Sequence, residues 1–373
     1  MTVHRHSWNA DAAGTPQRLI GPQREAFNVP GEIAYFNTAS LAPQLHAVRA
    51  AGEAALERRG QPWRITASDW FADVERLRST FAQIIDAGSD GVAIVPATSY
   101  GLAVAARNLP LAAAQRVLVL AEEYPSGIYT WRGAAKRSDA EILTVRREPG
   151  ESWTDAVLAA LDERVAIVSV PNVHWTDGAL VDLNTIAERT REVGAALVID
   201  GSQSVGAMPI SMAELRPDYL VTVGYKWLLG PFSVGYLYVA EEHWDGEPLE
   251  ENWINRARSE DFAALLDYQN AYQPGARRFD AGQRTKFELP RFHMHFTPTS
   301  SSWLNLVERW FAELTTKRLK RAAHRSVRAL NADIRAWIET WNENPRPYVW
   351  TKPAERILES IARYCQRINQ TAH

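Results

Sequence analysis

Asp200 and Lys226 are the two side chains of this 373-residue chain whose types and spacing suggest covalent chemistry. Each follows an apolar run: Ala195–Ile199 leads into Asp200-Gly201-Ser202-Gln203, and Tyr219–Val223 leads into Gly224-Tyr225-Lys226. Short unbroken apolar runs of this kind read as strands buried on both faces. If a crossover through the helix-length piece between them joins the two strands, the acid and the amine come to the same carboxyl edge of a parallel sheet. That edge is where open α/β folds bind ligands. Singly, Asp200 reads equally well as a helix cap and Lys226 as a solvated loop lysine. Together, with Gln203 three residues after the acid and an aromatic–Lys–aromatic run closing on Gly230-Pro231, they form a motif.

An acid and an amine held at one sheet edge suit pyridoxal phosphate. That cofactor needs a lysine for its aldimine and a carboxylate beside its pyridinium nitrogen, which keeps the ring an electron sink. Asp200-Gly201-Ser202-Gln203 with Gly224-Tyr225-Lys226-Trp227-Leu228-Leu229-Gly230-Pro231 resembles the class V aminotransferases, pyridoxal phosphate enzymes of fold type I. Within that family the likeness is to the isopenicillin-N-epimerase-like and cysteine-desulfurase-like branch, and it runs from about Tyr35 to about Leu289. The resemblance implies that Lys226 forms the aldimine and then serves as general base at the substrate α-carbon. It further implies that Asp200 holds the ring protonated, that Gln203 bonds the ring hydroxyl, and that Thr98, Ser99 and Tyr225 hold the phosphate.

The chain alternates strand and helix patterns up to this motif, which argues for a mostly parallel sheet with helices on both faces. Residues 1–34 read as an irregular arm, with Pro16, Pro22 and Pro30 among polar residues. Ile33–Pro43 is an extended piece entering a turn; Asn37 and Thr38 there are substrate-side candidates by resemblance, or part of a plain strand-to-turn passage. Helical spacing follows over about Leu45–Arg59 and Ser68–Ile85, the second capped by Ser68 and stopped by Gly88. Gly91–Val95 reads as a strand leading into Pro96-Ala97-Thr98-Ser99-Tyr100-Gly101, with a helix from about Leu102. A small-hydroxyl turn before a helix makes an anion site, and the same Thr98 and Ser99 serve as caps.

Gln115–Leu120 is the next strand, ending at Glu122-Glu123-Tyr124. The resemblance puts Tyr124 where an aromatic stacks on the cofactor ring; a Tyr packed at a strand end is the alternative. Helix Ile128–Lys136, strand Ile142–Val145, helix Trp153–Leu161, strand Val165–Val170 and helix Leu183–Val193 continue the series. After Val170, the His174-Trp175 pair looks more like the epimerase-like members than the desulfurases. It makes Trp175 a substrate-side candidate, or a Trp packed at a strand end. Phe232–Ala240 is a further strand. Two positions depart from the desulfurase pattern: Val223 replaces a phosphate-binding Ser and Gln283 a Thr.

At 373 residues, 46% hydrophobic and 10% aromatic, the composition is that of a soluble globular protein with room for two domains. The first residues hold no apolar signal core, and no run reaches membrane-spanning length, so the expected location is cytoplasmic with no membrane partner. The single cysteine, Cys365, excludes an internal disulfide and a cysteine-based zinc site. The net charge of −3 hides an asymmetry: residues 291–373 carry 14 Lys+Arg against 7 Asp+Glu.

The likeness to class V enzymes breaks near residue 290. A run from Pro290-Arg291-Phe292-His293-Met294-His295-Phe296 through Trp303-Leu304-Asn305-Leu306-Val307-Glu308-Arg309-Trp310-Phe311 resembles the C-terminal part of mariner-like insertion-sequence transposases of the DDE superfamily. So do His324-Arg325-Ser326 and Trp341-Asn342-Glu343-Asn344-Pro345-Arg346-Pro347. The resemblance makes Glu308 the third acid of a two-metal nuclease site. The family's preceding Asp, roughly 35 residues upstream, falls at Tyr272–Gln273. One acid cannot hold two metal ions, so neither a metal site nor transposase activity is expected. His293 and His295 read as one face of a half-exposed strand, and Val327 to Trp341 has helical spacing.

The expected organisation is an arm (1–34), a pyridoxal phosphate-binding large domain (35–240), the start of a truncated small domain (241–289) and a mainly helical transposase-like tail (290–373). The expected function is a pyridoxal phosphate-dependent protein acting on an amino acid, through transamination, epimerisation or elimination. Desulfurase chemistry is disfavoured because Cys365 lies in the tail. The resemblance implies a homodimer through the large domain. It also implies that the carboxylate-clamping Arg of the small domain is missing; Arg277, Arg278 and Arg284 are the substitutes considered. The alternatives are an inactive chimera, and a DNA-binding remnant acting through the basic patch Lys317-Arg318-Leu319-Lys320-Arg321.

Overall fold

A computed structural model describes residues 23–282 and 327–343 of the chain. The backbone divides into two units, Met1–Thr299 and Ser300–His373. In the first unit the apolar runs become strands: β1 Val92–Val95, β2 Arg116–Leu120, β3 Glu141–Val145, β4 Val165–Pro171, β5 Ala196–Asp200, β6 Tyr219–Val223 and β7 Gly235–Val239. Among the described residues they form one sheet in the order β1-β7-β6-β5-β4-β2-β3. The pairs β2–β3, β2–β4, β4–β5 and β5–β6 are parallel, while β7 runs antiparallel to both β1 and β6. The mostly parallel sheet expected is thus a mixed one, with a single reversed strand inserted between β1 and β6.

Both faces of this sheet are covered, as the unbroken apolar runs require. On β2, Leu118 and Leu120 enter one core and Val117 and Val119 the other. One core gathers Phe81, Ile199, Leu220 and Tyr236; the other gathers Trp131, Val198, Tyr219 and Leu237. Phe81 stacks on Tyr236 at 4.1 Å, and the buried Trp131 indole donates to Ser169 Oγ at 2.8 Å. The flanking helices are α1 His46–Arg59, α2 Ala72–Ile84, α3 Thr98–Asn108, α4 Pro125–Ser138, α5 Trp153–Ala160, α6 Leu183–Glu192 and the short α7 Met212–Leu215.

Several local expectations need correction. Ser68 is not a cap. A separate turn over Ala67–Trp70 precedes α2, and the Asp69 carboxylate accepts from Thr66 N at 2.7 Å and from Thr66 Oγ1 at 2.8 Å. Gly88 does not stop α2 either; the chain turns off at Asp86, which takes a left-handed φ of 51°. Helix α3 starts at Thr98 rather than Leu102, so Ala97 is its cap and Thr98 and Ser99 are its first two residues. The piece between β5 and β6 forms turns and the four-residue α7 rather than one long helix.

Residues 275–282 pack into the same body as the sheet. Ala276 and Phe279 are buried in the core with α3. Asp280 Oδ1 accepts from Ile94 N at 2.7 Å and Ala281 N donates to Ile94 O at 3.2 Å, covering the open edge of β1. Asp280 also receives the buried Arg78 guanidinium, at 2.7 Å from Nη2 to Oδ2. In the second unit, α8 (Val327–Glu343) matches the helical spacing read there. The rest of the transposase-like segment, with Glu308, His293 and His295, lies outside the described residues, as do Gln283 and Arg284.

Candidate active site

The carboxyl ends of the strands collect the chemistry. Thr98 follows β1, Tyr124 follows β2, Trp175 follows β4, Asp200 closes β5 and Lys226 follows β6, while the reversed β7 enters at that same edge after Phe232. Register fixes the centre: Asp200 pairs with Val221 across β5 and β6, and Gly201 N donates to Val221 O at 2.8 Å. The chain then needs only a short excursion beyond Val223 to bring Lys226 over Asp200. Gly206 allows this excursion to pack closely. It has φ +95°, and a Cβ there would lie 2.7 Å from Trp227 O, so a side chain would force the Lys226 loop away.

Asp200 and Lys226 are electrostatically coupled. Burial raises the Asp200 pKa, while the hydrogen bonds from Ser202 and the Lys226 charge pull it back down. Burial lowers the Lys226 pKa, and Asp200 opposes that shift. Lys226 Nζ lies 5.9 Å from the centroid of the Tyr124 ring, and that ring meets Trp175 edge-on at 5.4 Å. Amine, acid and aromatic ring thus share one space.

Thr98 Oγ1 lies 3.2 Å from Ser202 Oγ, joining the start of α3 to the turn after Asp200. Tyr100 N already donates to Ala97 O at 3.1 Å, so the Thr98 and Ser99 N–H groups, which precede any intrahelical acceptor, are the donors this corner offers at the positive end of the helix dipole. Ser99 is exposed beside it. Tyr225 packs against Phe232 at 4.5 Å, and its backbone oxygen accepts from Ala42 N at 3.1 Å. Burial raises the Tyr225 pKa, with Tyr124 and Asp200 adding to the shift. Its hydroxyl therefore remains a neutral donor at physiological pH.

Gln203 ties two segments together. Its Oε1 accepts from Trp227 Nε1 at 3.1 Å, and its Nε2 donates to Ala39 O at 3.1 Å. One amide hydrogen remains for a further acceptor. The same bond holds the turn after Asn37 and Thr38 near the site; Asn37 is exposed and its backbone oxygen accepts from Ser40 N and Leu41 N. Trp175 is half exposed and donates to Glu122 O at 2.7 Å.

Glu123 belongs to this site but did not stand out in the sequence. Its Oε1 accepts from Tyr124 N at 2.7 Å, and its Oε2 is buried with no hydrogen-bond partner among the described residues. Burial pushes its carboxyl up to about 7, against the Tyr124 hydrogen bond and with the Asp200 charge adding to the rise. An acidic pair on a loop ordinarily signals solvent, which is why the sequence concealed it.

Arg277 and Arg278 do not replace a carboxylate clamp at this edge. Arg277 is held by Glu75 at 2.7 Å and Asp90 at 2.6 Å, and Arg278 by Gly246 O at 3.2 Å. Asp90 precedes β1 and Gly246 follows β7, so both arginines sit at the amino edge of the parallel strands. A cavity of about 210 Å³ nearby, lined by Trp70, Phe71, Arg78 and Arg277, is a different place from the Lys226 site. Among the described residues no cluster of His, Cys, Asp and Glu could hold a metal ion, and no helix is long and apolar enough to cross a membrane.

The residues present fit pyridoxal phosphate. An acid and an amine are coupled across one space, an aromatic ring flanks the amine, a helix start offers donors, and a buried carboxyl oxygen lacks a partner. The family model described as aminotransferase class-V matches residues 43–250. The chain is 30% identical over 219 residues to an uncharacterized aminotransferase, YcbU, of Bacillus subtilis, covering 58% of this chain and 56% of that protein. It is 30% identical over 275 residues to a kynureninase of Deinococcus radiodurans, covering 70% of this chain and 64% of that one. The chain thus spans between 56% and 64% of the length of these curated relatives. Among solved structures it is similar to C-DES carrying glycine covalently linked to its PLP cofactor, with a TM-score of 0.65 at 18% identity over 72% of this chain and 71% of that one. The cysteine desulfurase CsdA of Escherichia coli gives a TM-score of 0.66 at 17% identity over 79% and 76%. At such identities these structures speak for the fold.

Proposed function

Since this chain belongs to the class-V aminotransferase family, we propose that it binds an amino acid at Lys226 and acts on the α-carbon. Its cofactor is pyridoxal phosphate, which when bound supplies an electron sink for that carbon. The coupling of Asp200 to Lys226 across adjacent strand ends supports this reading most directly.

In this reading Lys226 Nζ would hold the cofactor through its aldehyde and, once the substrate amine had displaced it, would be free to accept the α-proton. Desolvation lowers its pKa, which makes the neutral, proton-accepting amine more accessible. Asp200, as a carboxylate, keeps the proton on the ring nitrogen. Thr98, Ser99 and Tyr225 hydroxyls, with the first-turn amides of α3, bind the phosphate. The spare Gln203 hydrogen serves the ring hydroxyl, and Tyr124 covers the ring on the side where Trp175 supports it. Asn37 and Thr38 border the substrate.

Purified protein with added pyridoxal phosphate should show a visible absorption band, and Lys226→Ala should abolish it. An identical band in the variant rejects the role of Lys226.

Residues 290–373 carry the second reading, that an insertion sequence replaced the small domain with a transposase-derived tail. It is supported by the sequence motifs around Glu308. Arg277 and Arg278 are engaged at the opposite edge, so the substrate carboxylate lacks these two clamps. Binding without turnover is the expected result: amino acids should leave the band without sustained product release. Steady turnover would restore the fully active enzyme reading. Metal-dependent cleavage of terminal-repeat DNA, lost in Glu308→Gln, would overturn the expectation that the tail is catalytically silent. A homodimer through the large domain is part of the proposal, and sedimentation of the purified chain tests it.

A further inference from the structure

Two consecutive side chains of one loop hold two consecutive carbonyls of another. His174 Nε2 lies 3.0 Å from Ala121 O, and Trp175 Nε1 donates to Glu122 O at 2.7 Å. A carbonyl only accepts, so Nε2 carries a proton, while Nδ1 lies 2.8 Å from Thr176 Oγ1. His174 is fully buried and stacks on Trp153 at 4.7 Å, so its ring cannot swing. The loop bearing it is braced on itself: His174 N donates to Ala179 O at 2.9 Å, Gly178 N to His174 O at 2.9 Å, and Val173 bridges Leu180.

The segment receiving these bonds is under backbone strain. Glu122 takes a φ of +58°, a left-handed conformation that a non-glycine residue holds only when its surroundings impose it. The next two residues are Glu123, whose carboxyl is buried beside Asp200, and Tyr124, whose ring faces Lys226. A relaxed Glu122 would re-aim both.

We infer that His174 and Trp175 are positioning residues, which hold the strained Glu122 turn and thereby aim the Glu123 carboxyl and the Tyr124 ring into the Lys226 site. Trp175 acts twice, through its indole N–H on Glu122 O and through its ring edge on Tyr124. The role assigned to the site rests on the cofactor reading above; the clamp itself does not.

Hydrogen exchange of the full chain, with and without pyridoxal phosphate, tests this on Trp175→Phe, which keeps a ring and loses the donor. Trp63→Phe is the control, because Trp63 is a highly exposed indole that no contact above involves. Trp175→Phe should leave the melting temperature near that of the parent and speed exchange in residues 121–127 about fivefold, the loss of one hydrogen bond of about 1 kcal/mol. It should also shrink the visible circular dichroism of the bound cofactor, while Trp63→Phe changes neither. Unaltered exchange in residues 121–127 overturns the clamp. Faster exchange with unaltered cofactor dichroism overturns its positioning role. A parent protein with no visible band rejects the cofactor reading instead, and the exchange result still decides the clamp.

Discussion

Lys226 Nζ lies 5.9 Å from the centre of the Tyr124 ring, although the two residues follow different strands, β6 and β2, that two other strands separate in the sheet. Tyr124 is the N-cap residue of α4, the helix directly after β2. Its ring face is thus available to a flat ligand attached at the amine.

Tyr124→Ala should therefore weaken pyridoxal phosphate binding by about 5- to 10-fold, the worth of one aromatic stack of about 1–1.5 kcal/mol. Tyr124→Phe should bind nearly as well as the parent. Titrating the visible band gives both affinities, and equal affinities for the parent and Tyr124→Ala would remove the ring from the site.

Glu123 makes stability depend on pH. Its folded pKa stands at about 7 against an ordinary value of 4.5, because burial penalises the charged form. Below about 4.5 both folded and unfolded chains hold the proton, and its contribution is fully present. Between 4.5 and 7 the unfolded chain has released the proton while the folded chain keeps it, so stability falls as pH rises. The loss is on the order of 1–3 kcal/mol. Glu123→Gln, always neutral, should flatten that part of the decline. Urea midpoints of cofactor-free protein at pH 5 and pH 8 check this; parallel declines in parent and variant would refute it. Asp200 shifts in the same direction and remains in both proteins.

Arg78, midway along α2, has 1% of its side chain exposed and bonds to Asp280 and Glu75. Removing it strands the Asp280 carboxylate in the interior. Arg78→Met should cost about 3–5 kcal/mol in a urea melt, and Arg78→Met with Asp280→Asn should recover part of that loss. Additive losses in the double variant would show that the pair is not coupled.

Gly206→Ala should cost about 1–3 kcal/mol, because it combines a left-handed backbone with a Cβ pressed on Trp227 O. The displaced loop carries Lys226, so the visible band should fall with it. A band at parental strength would place the Lys226 loop outside the influence of residue 206.

The sequence alone determined the strands, the alternation of layers and the Asp200–Lys226 edge. A strand buried on both faces must be apolar throughout, and the cofactor motif is continuous in the chain on either side of its two key residues. The same local logic failed at α2, where Gly88 and Ser68 looked like terminators but Asp86 and Thr66–Asp69 do that work. Other features were decided only by tertiary structure. The reversal of β7, the burial of Arg78 against an acid 202 positions away, and the engagement of Arg277 and Arg278 at the far edge all depend on partners remote in sequence. Glu123 is the sharpest case. An acidic pair reads as solvated until folding desolvates one of its carboxyls within reach of the Asp200 charge, because a pKa is set by the dielectric and charges that folding assembles rather than by the residue's neighbours in the chain.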